Sequence, residues 1–140
     1  MITKLLSRNK SRDRNYKVGQ IWKYETREGE ENSTLKIVGV ESHEKLGDII
    51  NVYVCGLRIL NSNSDNKLFE EIQHLPFSKD AIDRSVIKLI DNTKNLPNFK
   101  EGYDEWRRAF DSGDAGIFTI TVKESIEAME MTINEGMKTN

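Results

Sequence analysis

The hydrophobic period of this 140-residue chain changes once, near Pro76, and that change restricts the folds open to it. Before Pro76 apolar and polar residues alternate, as they do along a half-buried strand. After Ser78 apolar residues recur at intervals of three and four, as they do along one face of a helix. Residues 20–27 place Trp22 and Tyr24 on one side and Ile21 and Lys23 on the other. Residues 28–32 combine Gly, Asn and repelling charge and read as a turn. Residues 34–42 alternate again, with Leu35 and Ile37 opposite Val38 and Val40. Residues 49–60 form the longest β signal, apolar on both faces, which fits a central strand covered on both sides. A polar loop over residues 61–67 leads to a fourth strand at 69–75, which Pro76 is expected to end for want of a backbone donor.

Beyond that point three helices are expected. Ser78 is a candidate cap for the first, whose apolar stripe is Ile82, Val86, Leu89 and Ile90. The second covers about residues 101–111, with Tyr103, Trp106 and Phe110 on one face and Gly113 as a stop. Residues 117–120 are a short β-like piece. Thr121 and Glu124 then fit a capping box for a last helix that buries Val122, Ile126, Met129 and Ile133 and stops near Gly136. The fold class predicted is therefore α+β: an antiparallel meander of about four strands packed against three C-terminal helices. Residues 1–15 are expected to be a basic, flexible arm and residues 16–136 a single domain.

The segments Gly19-Gln20-Ile21-Trp22-Lys23-Tyr24-Glu25-Thr26-Arg27 and Ala115-Gly116-Ile117-Phe118-Thr119-Ile120-Thr121-Val122-Lys123-Glu124 resemble those of a family of small bacterial proteins with no established activity. The resemblance covers most of residues 16–135. It implies a bacterial origin and a free-standing small domain, and it carries no functional residue with it.

Composition removes several classes of function. Cys55 is the only cysteine, so neither an intrachain disulfide nor a Cys-rich zinc site can form. Two histidines, His43 and His74, are too few and too scattered for zinc. Residues 61–68 place oxygen side chains where a calcium loop has them, but Ile72 stands where a bidentate Glu is needed. No metal and no cofactor is expected. The glycines make no phosphate-cradling loop, and the Gly-x-Ser-x-Gly elbow is missing. The first eight residues have too few apolar side chains for a signal peptide, and no run is long enough to span a bilayer. A cytoplasmic protein with no membrane partner is the expectation.

Charge is unevenly distributed. Residues 1–17 carry Lys4, Arg8, Lys10, Arg12, Arg14 and Lys17 against Asp13 alone, a net +5, so the remainder carries −7. Nucleic acid is expected, if anywhere, only at this arm. Trp22, Tyr24 and Tyr53 are expected to pack in the core. Two acidic clusters stand out: Glu28, Glu30 and Glu31 in the first turn, and Glu124, Glu127 and Glu130 along the last helix. Like charges so close are mildly destabilising, so they bring the fold no benefit; a solvated face is the leading reading of them, and a surface for a basic protein partner is the other. The first functional expectation is thus a non-enzymatic binding protein, with an immunity or antitoxin-type inhibitor as one instance. The alternative is a small hydrolase-like enzyme around His74, with Cys55 as a nucleophile on a neighbouring strand.

Overall fold

A computed structural model describes residues 14–62 and 67–138. The strands are β1 (Gln20–Tyr24), β2 (Thr34–His43), β3 (Gly47–Asn61), β4 (Lys67–Ser78) and β5 (Val86–Asn92). The helices are α1 (Lys79–Ser85), between β4 and β5, then α2 (Lys100–Asp111) and α3 (Val122–Lys138). The five strands form one antiparallel sheet in the order β4-β3-β2-β1-β5, largely N-terminal, with the helices mostly C-terminal. This is the α+β architecture that the change of period predicts.

The core lies on one face of the sheet. Trp22, Tyr24, Leu35, Ile37, Val52, Val54 and Phe77 point into it, and Ala81, Ile82, Val122 and Ile126 cover them from α1 and α3. The two edge strands, β4 and β5, are joined by α1 alone. Five flat strands would set those edges about 19 Å apart, whereas seven helical residues span only about 10 Å. The sheet must therefore curl around α1. Ser85 fixes the join: its Oγ donates to Ala81 O at 2.7 Å and accepts from Val122 N at 3.0 Å, tying α1 to the start of α3.

β5 corrects the expected helical stripe. Ser78 does cap α1, accepting from Ala81 N at 3.1 Å, but the helix ends at Ser85 and Val86 is already extended. Val86 to Asn92 instead pair with β1. A bare edge on β1 would leave buried backbone groups without partners, and that requirement outweighs a local helical period. Gly19 permits the closure: with φ at +97° its carbonyl accepts from Thr93 N at 2.8 Å, and a Cβ there would lie 2.4 Å from Thr93 O.

Four smaller expectations are also corrected. β1 stops at Tyr24 rather than residue 27, because Glu25 N turns to donate to Ser85 O at 2.9 Å. Pro76 does not end β4: its carbonyl faces the sheet edge, where it accepts from Phe118 N at 2.9 Å, so its missing N–H costs no bond to β3. Residues 117–120 contribute only a single parallel bridge, Phe118 to Phe77. α3 continues past Gly136, since one glycine weakens a helix by about 1 kcal/mol without ending it.

Of the expected arm, residues 1–13 lie outside the described residues, as do 63–66 of the polar loop. Arg14 is docked, with Nη1 at 3.4 Å from Val86 O and its guanidinium over the Trp22 ring. Tyr16 follows, donating to Asp83 Oδ1 at 2.6 Å.

If α1 ends at Ser85, two residues of the supposed stripe must behave differently. Ile82→Ala, in the core, should cost about 3 kcal/mol, and Ile90→Ala, exposed on β5, under about 1 kcal/mol. Urea unfolding of both variants is the check, and equal losses would contradict the assignment.

Candidate functional site

His74 sits on β4 under α2. Its Nε2 lies 2.7 Å from Asn51 Oδ1, and its ring packs against Tyr103 and Trp106, each with centroids at 5.3 Å. Asn51 is fully buried and donates through Nδ2 to Glu41 Oε2 at 2.8 Å. Its Oδ1 is therefore the acceptor, and His74 Nε2 carries the proton. Glu41 also accepts from Tyr103 OH at 2.9 Å and binds Arg107. These bonds pin α2, which has no fully buried residue of its own, to the sheet. A cleft of about 470 Å³ beside them is lined by Glu41, Asn51, Tyr103 and Arg107, polar groups already engaged with one another.

Burial lowers the His74 pKa to about 4, against an opposing pull from Glu41, so the imidazole is neutral at pH 7. A catalytic pair would need the Cys55 thiol alongside. Cys55 instead pairs with Glu71, three residues along β4 from His74, or about 10 Å away. Its sulfur lies 3.5 Å from Thr34 Oγ1. The structure therefore does not bring His74 and Cys55 together, and His74 serves to seat α2.

A histidine held neutral in the fold stabilises it fully above the unfolded pKa of about 6.5, and less as pH falls toward the folded value. Between pH 7.5 and pH 5 this group should account for about 2 kcal/mol of lost stability. Urea midpoints at the two pH values should show a larger drop for the parent chain than for His74→Gln. Parallel drops would contradict the assignment.

A larger groove, about 910 Å³, lies between the first turn and β4. Its cause is a break in the β3–β4 register. β3 advances from Cys55 to Ile59 while β4 goes only from Glu71 to Phe69, so residues 56–58 bulge. Gly56 makes the bulge possible: its φ is +78°, and a Cβ would lie 2.9 Å from Ser33 Cα. The turn closes over this point, with Ser33 Oγ donating to Cys55 O at 2.6 Å and lying 2.7 Å from Tyr24 OH. Burial raises the Tyr24 pKa to about 12, keeping its phenol a donor.

Glu30 holds the bulge from below. Its carboxylate accepts from Arg27 Nε at 2.9 Å, Arg27 Nη2 at 2.8 Å and Arg58 N at 2.7 Å. Burial works to raise its pKa, but the Arg27 and Arg58 bonds prevail and leave it below the usual carboxylate range. Arg27 reaches on to Glu130 Oε1 at 3.0 Å, and Glu130 Oε2 accepts from Leu60 N at 2.7 Å. On α3, Glu124 accepts from Thr121 N at 3.0 Å while Glu124 N donates back to Thr121 Oγ1 at 3.2 Å, the expected capping box. The expectation that the acidic clusters bring the fold no benefit is therefore corrected for Glu30, Glu124 and Glu130, whose hydrogen bonds tie parts of the fold together. Glu28, Glu31 and Glu127 are exposed and make no ion pair among the described residues.

Apart from Cys55, residues that the sequence did not single out complete the groove. Leu68, Phe69, Glu70 and Glu71 form its β4 wall, all exposed, and Cys55 and Leu57 lie in its floor with Arg58 beside them. Tyr53, expected in the core, lies instead on the sheet face away from it, where it donates to Glu71 and Lys36 lies over its ring. The one signal in the sequence was the pattern Leu68-Phe69-Glu70-Glu71, which breaks the alternation expected of a half-buried strand.

Among the described residues no three His, Cys, Asp or Glu gather as metal ligands, and no helix is long and apolar enough to cross a membrane. Compared with family models, with curated proteins and with solved structures, the chain matches none.

The difference between bonded and free acids is measurable. Glu30→Ala should destabilise by about 2 kcal/mol, because it removes two hydrogen bonds from the half-buried Arg27 guanidinium and leaves the Arg58 N–H without its acceptor. Glu31→Ala, on the same turn, should stay within about 0.5 kcal/mol. Thermal and urea unfolding of the two variants would contradict this if their losses were alike.

Proposed function

We propose that this chain is a non-enzymatic binding protein whose acidic groove engages a basic segment of a protein partner. The observation that supports this best is the make-up of the groove. Its β4 wall is Leu68, Phe69, Glu70 and Glu71, and the facing turn carries exposed Glu28 and Glu31 beside Gly29 and Asn32. Apolar side chains beside carboxylates complement an aliphatic, cationic segment: burial supplies affinity, and opposite potentials supply orientation and rate. Glu127 extends the same sign of charge onto α3. An immunity protein or antitoxin-type inhibitor of a basic bacterial toxin is one instance of this class. The lone thiol of Cys55, half-buried in the groove floor, fits a reducing cytoplasm.

Random peptides displayed against the immobilised full chain would test the reading. Enriched sequences should carry Lys or Arg interspersed with aliphatic residues, and their binding should weaken as salt rises. Glu70→Lys with Glu71→Lys should weaken it at least about tenfold, equivalent to about 1.4 kcal/mol. Enrichment of neutral or acidic peptides, or affinity indifferent to salt and to the double charge reversal, would refute the reading.

A further inference from the structure

The groove leaves open how a basic segment would be held, and the sheet topology bears on that question. Among the described residues β4 ends the sheet, with β3 as its only strand neighbour, so its outer edge carries backbone donors and acceptors that no other described strand uses. One stretch of that edge is occupied by the chain itself. Phe118 N donates to Pro76 O, and Ser78 N donates to Phe118 O, both at 2.9 Å, which makes a one-residue parallel bridge. Gly102 of α2 packs against Gln73 and His74, the next residues along. Before Gln73 no described residue covers the edge in this way. Leu68, Phe69, Glu70 and Glu71 are exposed in succession, so neither face of the strand is buried there.

Natural edge strands are blunted by charge, proline or a covering loop, because an exposed apolar edge recruits other strands. After Lys67, at its start, residues 68–72 carry charge of one sign only, Glu70 and Glu71, next to exposed Leu68 and Phe69. The sign of that charge selects the occupant. A second copy pairing antiparallel with its centre on Glu70 or Glu71, the middle of this stretch, would bring that residue directly opposite its own counterpart, an unfavourable pairing. A Lys- or Arg-bearing strand would meet opposite charge at the same positions.

We propose that residues 68–72 of β4 accept a basic, extended segment of the partner as a sixth strand of the sheet. The proposal rests on the basic-partner reading above and adds the mode of binding. Main-chain hydrogen bonds to β4 hold the segment; Leu68 and Glu70 share one face of the strand and Phe69 and Glu71 the other, so on each face one apolar side chain of the segment meets Leu68 or Phe69 and one cation meets Glu70 or Glu71.

The probe is a heptapeptide in which adjacent pairs alternate, Lys-Lys-Val-Val-Lys-Lys-Val, so that each face of the strand offers both a cation and an apolar side chain, studied with the full chain by fluorescence anisotropy and by amide hydrogen exchange. Two further versions carry N-methyl groups on alternate backbone nitrogens, one version for each alternate set. Binding should slow exchange of the β4 amides over residues 68–72 at least about tenfold, since each joins a ladder or lies beneath one. One N-methylated version should lose binding and the other keep it, because a strand bonds to its neighbour through every second residue. The proposal is overturned if the peptide binds but protection is confined to residues 29–33 and 55–58, or if both N-methylated versions bind as well as the parent. In either case the basic-partner reading survives. If the peptide fails to bind while basic peptides from the display selection do, the added-strand mode alone is wrong. If no basic peptide binds by either route, both readings fall.

Discussion

The carboxylate of Glu30 accepts from both edges of the Arg27 guanidinium and from the backbone of Arg58, and through Arg27 it is linked to Glu130 on α3. Three distant parts of the chain meet there: the β1–β2 turn, the β3 bulge and the last helix. Without that anion the bulge over residues 56–58 would leave Arg58 N unpaired near the interior, an expensive condition for a backbone donor. The bulge is what opens the groove between the turn and β4. The candidate binding surface thus depends on a charge that is itself out of reach of any partner, since Glu30 is only 2% exposed.

The same logic of distant closure governs the sheet. α1 is too short to link the edges of a flat five-stranded sheet, so β5 reaches β1 only because the sheet curls around Ile82 and Ala81. The core then has α1 and α3 on one side, while α2 covers part of the opposite face through Tyr103, Trp106 and the Glu41–Asn51–His74 bonds. β3 is covered on both faces where Ile49 and Asn51 lie opposite Ile50 and Val52, all buried. Its far end, beyond the bulge, is less enclosed, and there the exposed residues of β4 lie.

What was legible in the sequence was local. The Ser78 cap and the Thr121–Glu124 capping box each involve residues three apart, and both occur as the spacing implies. The alternation of Leu35 with Ile37 and of Val52 with Val54 identified core positions, because a strand repeats every second residue. What was not legible depended on partners far along the chain. Residues 86–92 have an ambiguous apolar pattern, and only the unpaired edge of β1, more than sixty residues earlier, decides for a strand. Cys55 and His74 do lie on neighbouring strands. Their separation along those strands is set by register, and a sequence does not display register. Glu30 and Glu130 looked like free surface charge, since neither Arg58 nor Leu60 announces that its backbone will need an acceptor.

Sorting the acids by what they touch changes the meaning of the negative charge on this domain. Glu30, Glu41, Asp83, Glu124 and Glu130 each accept hydrogen bonds that join separate elements or cap one. Removing any of them would change stability before it changed recognition. Glu28, Glu31 and Glu70 make no ion pair among the described residues, and Glu71 is held only by Tyr53, on the exposed side of the sheet. Glu70 and Glu71 line one groove together with Leu68 and Phe69, and Glu28 and Glu31 belong to the turn whose Gly29 and Asn32 line its other side. A solvated face needs charge but no exposed aromatic ring beside it, because an uncovered ring forgoes the burial that makes it favourable. It is the coincidence of the two, on a strand edge with unused backbone groups, that separates this surface from the rest of the acidic exterior.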